Sequence, residues 1–308
     1  MPPVLNKGRI TNYISGLNGV SAGGQAILNI PTNARYHGLI LNCTSAGSAA
    51  AVTSIISSLK LIVNGIPIRD IDPANILKIA QAQGYFPLLG ELPIWFSEPT
   101  IQGGIINEPD DVTSWDMAGQ QTFQLQIGIQ GAAVTPGITG VWIFDYQRNL
   151  LPDGKTPFLS PVVQHQFSFP VVIGRQDITT LPYTFPIRRL FLYGSSAGQI
   201  LDFEVYQDGN KVHEATALQS RQLYRPYGWA INNTPDRIPF VNATGPANLG
   251  VSALVETPAY FDAMYIADEA SRIWKALRVG QNFTLRVNSG AAQTLNVVME
   301  TVPPGFLS

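Results

Sequence analysis

Three histidines, one cysteine and two knots of carboxylates are the side chains with which this chain could do chemistry. His37, His165 and His213 lie far apart, and none is followed at metal-ligand spacing by a second His, Cys, Asp or Glu. There is no HExxH and no pair of close Cys/His ligands of the kind zinc requires. Cys43 stands alone in the apolar stretch GLILNC, which excludes an internal disulfide and reads as a buried, inert thiol. Carboxylates cluster at Glu108, Asp110 and Asp111 and again at Asp268 and Glu269. A glycosidase needs two carboxyls about 5 to 10 Å apart across a cleft. Both clusters instead precede segments patterned as helices, where acids meet the positive end of the helix dipole. The sequence carries no Walker A phosphate loop and no G-x-G-x-x-G, and no nucleophile elbow is expected. No metal, cofactor or catalytic residue is assigned.

Composition explains what the chain has instead. Hydrophobic residues make up 45% of its 308 residues, and charged residues only 13%, against a usual ~25%. A net charge of −2 leaves no polyanion-binding footprint, so direct nucleic-acid binding is not expected. The surface is covered largely by Asn, Gln, Ser and Thr, as in a β-rich protein or one whose surface meets other subunits. The N-terminal MPPVLNKGRITNYISGL lacks a long apolar signal segment, and no run approaches the ~18 apolar residues of a membrane span. Synthesis in a cytoplasm is the expectation, and the Asn-x-Thr triplets at Asn42, Asn232, Asn242 and Asn282 then carry no weight for glycosylation.

The elements that must position these side chains are mostly strands. In QTFQLQI, Phe123, Leu125 and Ile127 share one face while Gln124 and Gln126 share the other. LKLIVNGIPIRDI sets Leu59, Leu61 and Val63 together, turns at Asn64-Gly65 and resumes with Ile66 and Ile68. Asn-Gly tolerates the positive φ of a type I′ hairpin turn. LDFEVYQDGNKV repeats the plan with Leu201, Phe203 and Val205 on one face and Asp208-Gly209 at the turn. Helices are few. One begins at Asp72-Pro73, buries Ile76, Ile79 and Ala80, and stops at Gly84. Two more are expected, from about residue 109 to 119 around Trp115 and from about 270 to 280 around Trp274.

The chain also contains itself twice. Ile27–Gly47 laid over Ile178–Gly198 without a gap matches at seven of 21 positions, where chance gives roughly one or two. QTFQLQI likewise returns as QNFTLRV from Gln281. Each half runs through two strands, a Ser-Ala-Gly loop, an Asn-Gly or Asp-Gly hairpin, a Trp-bearing helix and the Gln-x-Phe-x-Leu strand. The extra length of the second half is assigned to RPYGWAINNTPDRIPFVNATGPANLG. The fold class expected is all-β: two tandem eight-stranded jelly rolls with a few short helices. The first is expected over residues 1–150 with a short N-terminal arm, and the linker and second over 151–308. A duplicated sandwich of another topology is the alternative.

These residues resemble the double jelly-roll major capsid proteins of tailless icosahedral bacterial viruses with a membrane, the tectovirus, corticovirus and finnlakevirus lineage. The resemblance rests on the doubling, on GGQAILNIPTNARYHGLILNCT, on LIVNGIPIRDI with its following helix, and on TFPIRRLFLYG, VYQDGNKVHEAT and PAYFDAMYIADE. No motif is diagnostic alone; order and doubling carry it. It implies a structural subunit that trimerises into pseudo-hexagonal capsomers and tiles a virion shell around an internal membrane. Its partners would be further copies of itself, penton, spike and minor capsid proteins, and membrane lipid. Arg221, Tyr224, Arg225, Tyr227 and Trp229 have the composition of an interface centre and are the candidate inter-subunit loop, the alternative being that these aromatics cap their own barrel. Lys7 and Arg9 are the candidate membrane-facing pair, contributing ~1 kcal/mol each against anionic headgroups, too little to anchor one chain; an ordinary solvated N-terminal arm is the other reading. A two-jelly-roll carbohydrate-binding or glycan-cleaving protein is the rival reading.

Overall fold

The computed structural model describes residues 9–14, 17–82, 87–97, 114–150, 162–195, 199–217, 219, 259–262 and 279–301. They form two compact units, each a pair of antiparallel sheets.

In the second unit one sheet runs β16 (Ala259–Asp262), β13 (Ile187–Gly194), β18 (Gln293–Thr301), β11 (Val163–Val171). The other runs β12 (Gly174–Ile178), β17 (Phe283–Ser289), β14 (Ile200–Gln207), β15 (Asn210–Thr216). Counted along this unit, the orders are sixth-third-eighth-first and second-seventh-fourth-fifth, which is the jelly-roll winding. In the first unit β1 (Ile10–Tyr13), β10 (Pro136–Asp145) and β3 (Arg35–Ser45) are neighbours. Two short strands, β7 (Glu91–Trp95) and β8 (Trp115–Asp116), share the place beyond β3. The facing sheet is β6 (Ile66–Asp70), β5 (Ile56–Val63), β9 (Phe123–Ile129), β2 (Gln25–Asn29). With the two-residue β4 (Ser48–Ala49) set aside, the winding is the same. A topology other than the jelly roll is excluded.

Strict alternation puts the core where the sequence pattern expects it. β9 and β17 both alternate between buried and half-buried residues from end to end. Phe123, Leu125 and Ile127 in one and Phe283, Leu285 and Val287 in the other are fully buried. Phe123 lies against Tyr36 and Trp142, with ring centroids 5.5 and 6.3 Å away. The helix Pro73–Ala82 starts where expected, the Asp72 carbonyl accepting the N–H groups of Asn75 and Ile76. Ile76, Ile79 and Ala80 are its buried stripe.

The hairpin turns carry a second job. Asn64 and Asp208 both have positive φ, 51° and 49°, and each is followed by a positive-φ glycine, the type I′ geometry. Asn64 Oδ1 accepts the N–H groups of Gln121 and Thr122, at 2.8 and 3.0 Å. Asp208 Oδ1 accepts those of Gln281 and Asn282, at 2.6 and 2.9 Å, and its Oδ2 that of Gly280 at 3.0 Å. Each turn thus fastens the entry to its unit's QTF or QNF strand.

Four expectations need correction. The segment around Trp115 is a strand, not a helix: Trp115 pairs with Tyr36 and stacks on Phe96 at 4.4 Å. Asp116 Oδ1 takes the Ala118 N–H and closes the strand, and Gly119 turns away at φ 90°. Leu201 is 47% exposed, because a register shift between Ile200 and Asp202 turns it outward and Ile200 inward. Ile66 opposes the buried Val63 but, next to the turn, is 62% exposed, and past the shift at Leu61/Ile62 it is Arg69 that turns inward, opposite Leu61. Finally, the identity of Ile27 with Ile178 is not a structural equivalence. Leu28 opposes Leu125, and Ile178 opposes Leu285, so the copies differ by one residue before the next strand. The expected helix around Trp274 and the Gly84 stop lie outside the described residues.

Candidate functional site: a buried polar clamp and two outward sheet faces

The densest group of ionisable side chains in the first unit lies where β3 begins and β10 ends. His37 sits at a register shift, where Gly38 opposes Ile143 but Tyr36 opposes Phe144. That bulge re-aims the imidazole. His37 Nε2 donates to Asp145 Oδ2 at 2.8 Å. Arg35 grips the same carboxylate with two bonds, Nε to Oδ1 at 3.0 Å and Nη2 to Oδ2 at 2.6 Å. Gln147 N–H adds a third donor. Burial alone would raise the Asp145 carboxyl, but the bonds from His37, Arg35 and Gln147 outweigh it and hold it well below the usual carboxylate range. Beside it Asp116 Oδ2 accepts from Arg148 Nε at 2.7 Å and from the Asn149 N–H at 2.9 Å. Asn149 in turn donates to the Ser114 carbonyl.

A His–Asp pair invites a search for a nucleophile. Ser97 is the nearby hydroxyl, and its Oγ donates to the His37 carbonyl, at 3.3 Å, rather than facing the ring. His37 itself is fully buried, and its Nδ1 has no hydrogen-bond partner among the described residues. The spelling Gly-x-Ser-x-Gly does occur, at Gly19–Gly23 and Gly194–Gly198. Ser21 lies in an exposed turn, with its N–H on the Gly19 carbonyl, and not on a strand-to-helix elbow. Residues 196–198 lie outside the described residues. Among the described residues no group of three His, Cys, Asp or Glu side chains could hold a metal ion. The cluster therefore works as a clamp joining β3, β8 and β10. Burial pushes the Cys43 thiol up to about 12, which makes it inert as expected.

The sequence does mark one contrast that the structure fills in: the outward residues of the repeated strand. On the first unit's β2-β9-β5-β6 sheet these form an amide ladder. Gln25 Nε2 donates to Gln126 Oε1, Gln126 Nε2 to Gln124 Oε1, and Gln124 Nε2 to Asn29 Oδ1 at 2.9 Å. Its ion pair is Lys60 with Asp70, at 2.8 Å.

The corresponding sheet of the second unit carries charge across all four strands. Arg286 holds Asp177 through two bonds, of 2.5 and 2.9 Å, which lower the Asp177 carboxyl and raise the guanidinium. Arg286 Nη1 also donates to Tyr206 Oη at 3.1 Å, and Tyr206 donates to Glu204. That last bond is the main reason the Glu204 carboxyl is lowered. Lys211 Nζ and Arg175 Nη1 approach Glu204 at 3.4 and 3.5 Å, and Arg175 Nη2 approaches Asp202 at 3.5 Å. The guanidinium of Arg286 lies 5.1 Å from the Tyr206 ring centroid.

Of the residues singled out in the sequence, Arg9 is exposed just before β1. Lys7, the carboxylate clusters 108–111 and 268–269, and the loop residues Arg221, Tyr224, Arg225, Tyr227 and Trp229 lie outside the described residues. Sequence reading missed Arg35, Asp145 and Arg69. The buried Arg69 lies over the rings of Phe96 and Trp115 and donates to the Trp95 carbonyl at 2.9 Å.

Residues 11–142 match the family model described as viral coat protein P2 N-terminal domain. No curated protein sequence matches the chain. Among solved structures, the major capsid protein P2 of bacteriophage PM2 superposes with a TM-score of 0.71 at 14% identity, over 96% of this chain and 98% of that one. The major capsid protein of Sulfolobus turreted icosahedral virus gives 0.57 at 12% identity, over 96% and 97%. The PBCV-1 virus capsid protein gives 0.54 at 10% identity, over 96% and 93%.

Proposed function

We infer, from the match of residues 11–142 to the viral coat protein P2 N-terminal domain, that the chain is a major capsid protein. The observation that carries this reading is the winding itself: one chain builds the same eight-strand jelly roll twice, as the capsid proteins similar to it along their whole length do. Its role is structural and it works by association with copies of itself in a virion shell. The carbohydrate-binding alternative gains nothing from these relatives.

The finer picture is that three chains form a pseudo-hexagonal capsomer and that capsomers tile an icosahedral shell around an internal membrane. Duplication supports it, because one chain then offers two similar but non-identical lateral faces, and heterologous contacts between such faces can close rings. Residues 1–150 would supply one barrel and 151–308 the other. The amide-laddered face and the charged face are the two surfaces so differentiated. Arg221, Tyr224, Arg225, Tyr227 and Trp229 would extend a subunit contact. Lys7 and Arg9 would lie toward lipid, each copy adding little and the lattice summing it. Penton, spike and minor capsid proteins complete the partner set, without direct nucleic-acid contact or cofactor.

Size-exclusion chromatography with light scattering tests the capsomer. A mass of three chains is expected. A strictly monomeric protein with measurable sugar affinity would overturn the reading in favour of the rival. Electron microscopy of material containing the chain should show icosahedral particles.

A further inference from the structure

Asn64 and Asp208 hold the same position in their two hairpins and do the same work, yet one is an amide and the other an acid. The Asn64 amide oxygen already faces two main-chain N–H groups, those of Gln121 at 2.8 Å and Thr122 at 3.0 Å, and its Nδ2 donates to Gln120 Oε1 at 2.8 Å. The next residue is Gly65, which brings no side chain of its own beside the Asn64 amide, and a Cβ placed on it would meet nothing within 4 Å.

We propose that Asn64 is a self-deamidation site whose acid product the fold accepts. The Gly65 nitrogen adds to Asn64 Cγ, and the charge that develops on Oδ1 is received by the Gln121 and Thr122 N–H groups, which act as an oxyanion hole. The Cγ–Nδ2 bond breaks and ammonia leaves with the proton shed by Gly65. Water then opens the resulting succinimide at Cγ, restoring the peptide bond and leaving a carboxylate. Amide and water go in; carboxylate and ammonium come out; nothing is oxidised or reduced. Opening at the main-chain carbonyl instead gives isoaspartate, of equal mass and different elution.

The second unit shows the product in place. Asp208 keeps both main-chain bonds that Asn64 makes, gains the Gly280 N–H on its other oxygen, and remains a well-stabilised anion. In the first unit the Gln120 amide can turn about and donate where it now accepts. The chain's other Asn-Gly pair lacks this setting. Asn18 is bridged through its main chain to Ile27 in both directions, and a Cβ on Gly19 would meet the Gln25 carbonyl at 2.4 Å.

Ageing the full chain at mildly alkaline pH, followed by digestion and mass spectrometry, tests the site. The amide-to-acid mass gain should appear at Asn64 before Asn18. Acid at Asn64 no sooner than at Asn18, or none by the time a free peptide of sequence IVNGIP has converted, overturns the proposal. Thermal melts test the acceptance. Asn64→Asp should melt with the parent, while Asn64→Ala, which orphans two N–H groups, should melt several degrees lower. An Asn64→Asp melt as low as that of Asn64→Ala sinks it.

Discussion

Asp208 Oδ1 accepts the main-chain N–H of Gln281 at 2.6 Å, and by that bond the β14–β15 turn is fastened to the first letter of the repeated QNF strand. The tie crosses 73 residues of sequence. Three main-chain N–H groups converge on this carboxylate and lower its pKa. Their stabilisation is therefore complete above the ordinary aspartate value of about 3.9 and is lost as pH falls through the lower folded value. Asp208→Asn should flatten the acid limb of a urea-midpoint-versus-pH curve, and Asp208→Ala should lower the midpoint at every pH. An unchanged acid limb in Asp208→Asn would refute the assignment.

His213 gives a second and separable pH dependence. Burial pushes its imidazole down to about 4, and its ring lies 4.9 Å from that of Phe203. The unfolded chain takes up this proton near 6.5, so stability is full above that value and falls as pH drops from there towards 4. His213→Phe keeps the ring contact and should abolish the loss in that window. The measurement is chemical denaturation at pH 7.5 and 5.

Asp145→Asn should be costly in the first unit. It leaves Arg35, a residue only 6% exposed, without its carboxylate. Breaking one partner of a buried pair costs about 3–5 kcal/mol. Emission from Trp95, Trp115 and Trp142 reports this unit's unfolding. A change below about 1 kcal/mol, the range of surface pairs, would show that the clamp is not structural.

Phe123→Ala and Phe283→Ala should each cost about 3–5 kcal/mol, since both rings are essentially fully buried at matching places. By contrast Gln126→Glu, on the outward face, should leave stability within about 0.5 kcal/mol. It should nevertheless weaken capsomer formation, read by light scattering, if that face meets a neighbouring copy.

The reach of the sequence follows from the period of its patterns. β9 and β17 are legible because a strand with one wet face must alternate, and nothing interrupts them. The Asn-Gly and Asp-Gly turns are legible because few residues accept their φ. Leu201 fails because it is itself the extra residue of a bulge, and beyond a second such shift Arg69 rather than Ile68 turns inward opposite Leu61. Sliding one copy over the other without a gap pairs Ile27 with Ile178 for the same reason: the extra residue falls between strands, where no pattern marks it. The Arg35–His37–Asp145 clamp joins positions 110 residues apart through a bulge, and no local spacing encodes that. Trp115 reads as a helix centre because its partners Phe96 and Tyr36 are remote in sequence.

The charged face of the second unit carries one more implication. Arg175, Lys211 and Arg286 each find a carboxylate on another strand of the same sheet. A surface whose ions answer one another makes no demand on what approaches it. Such a patch tolerates unlike surroundings, as a brick glazed on one side can be laid in a course or at a corner.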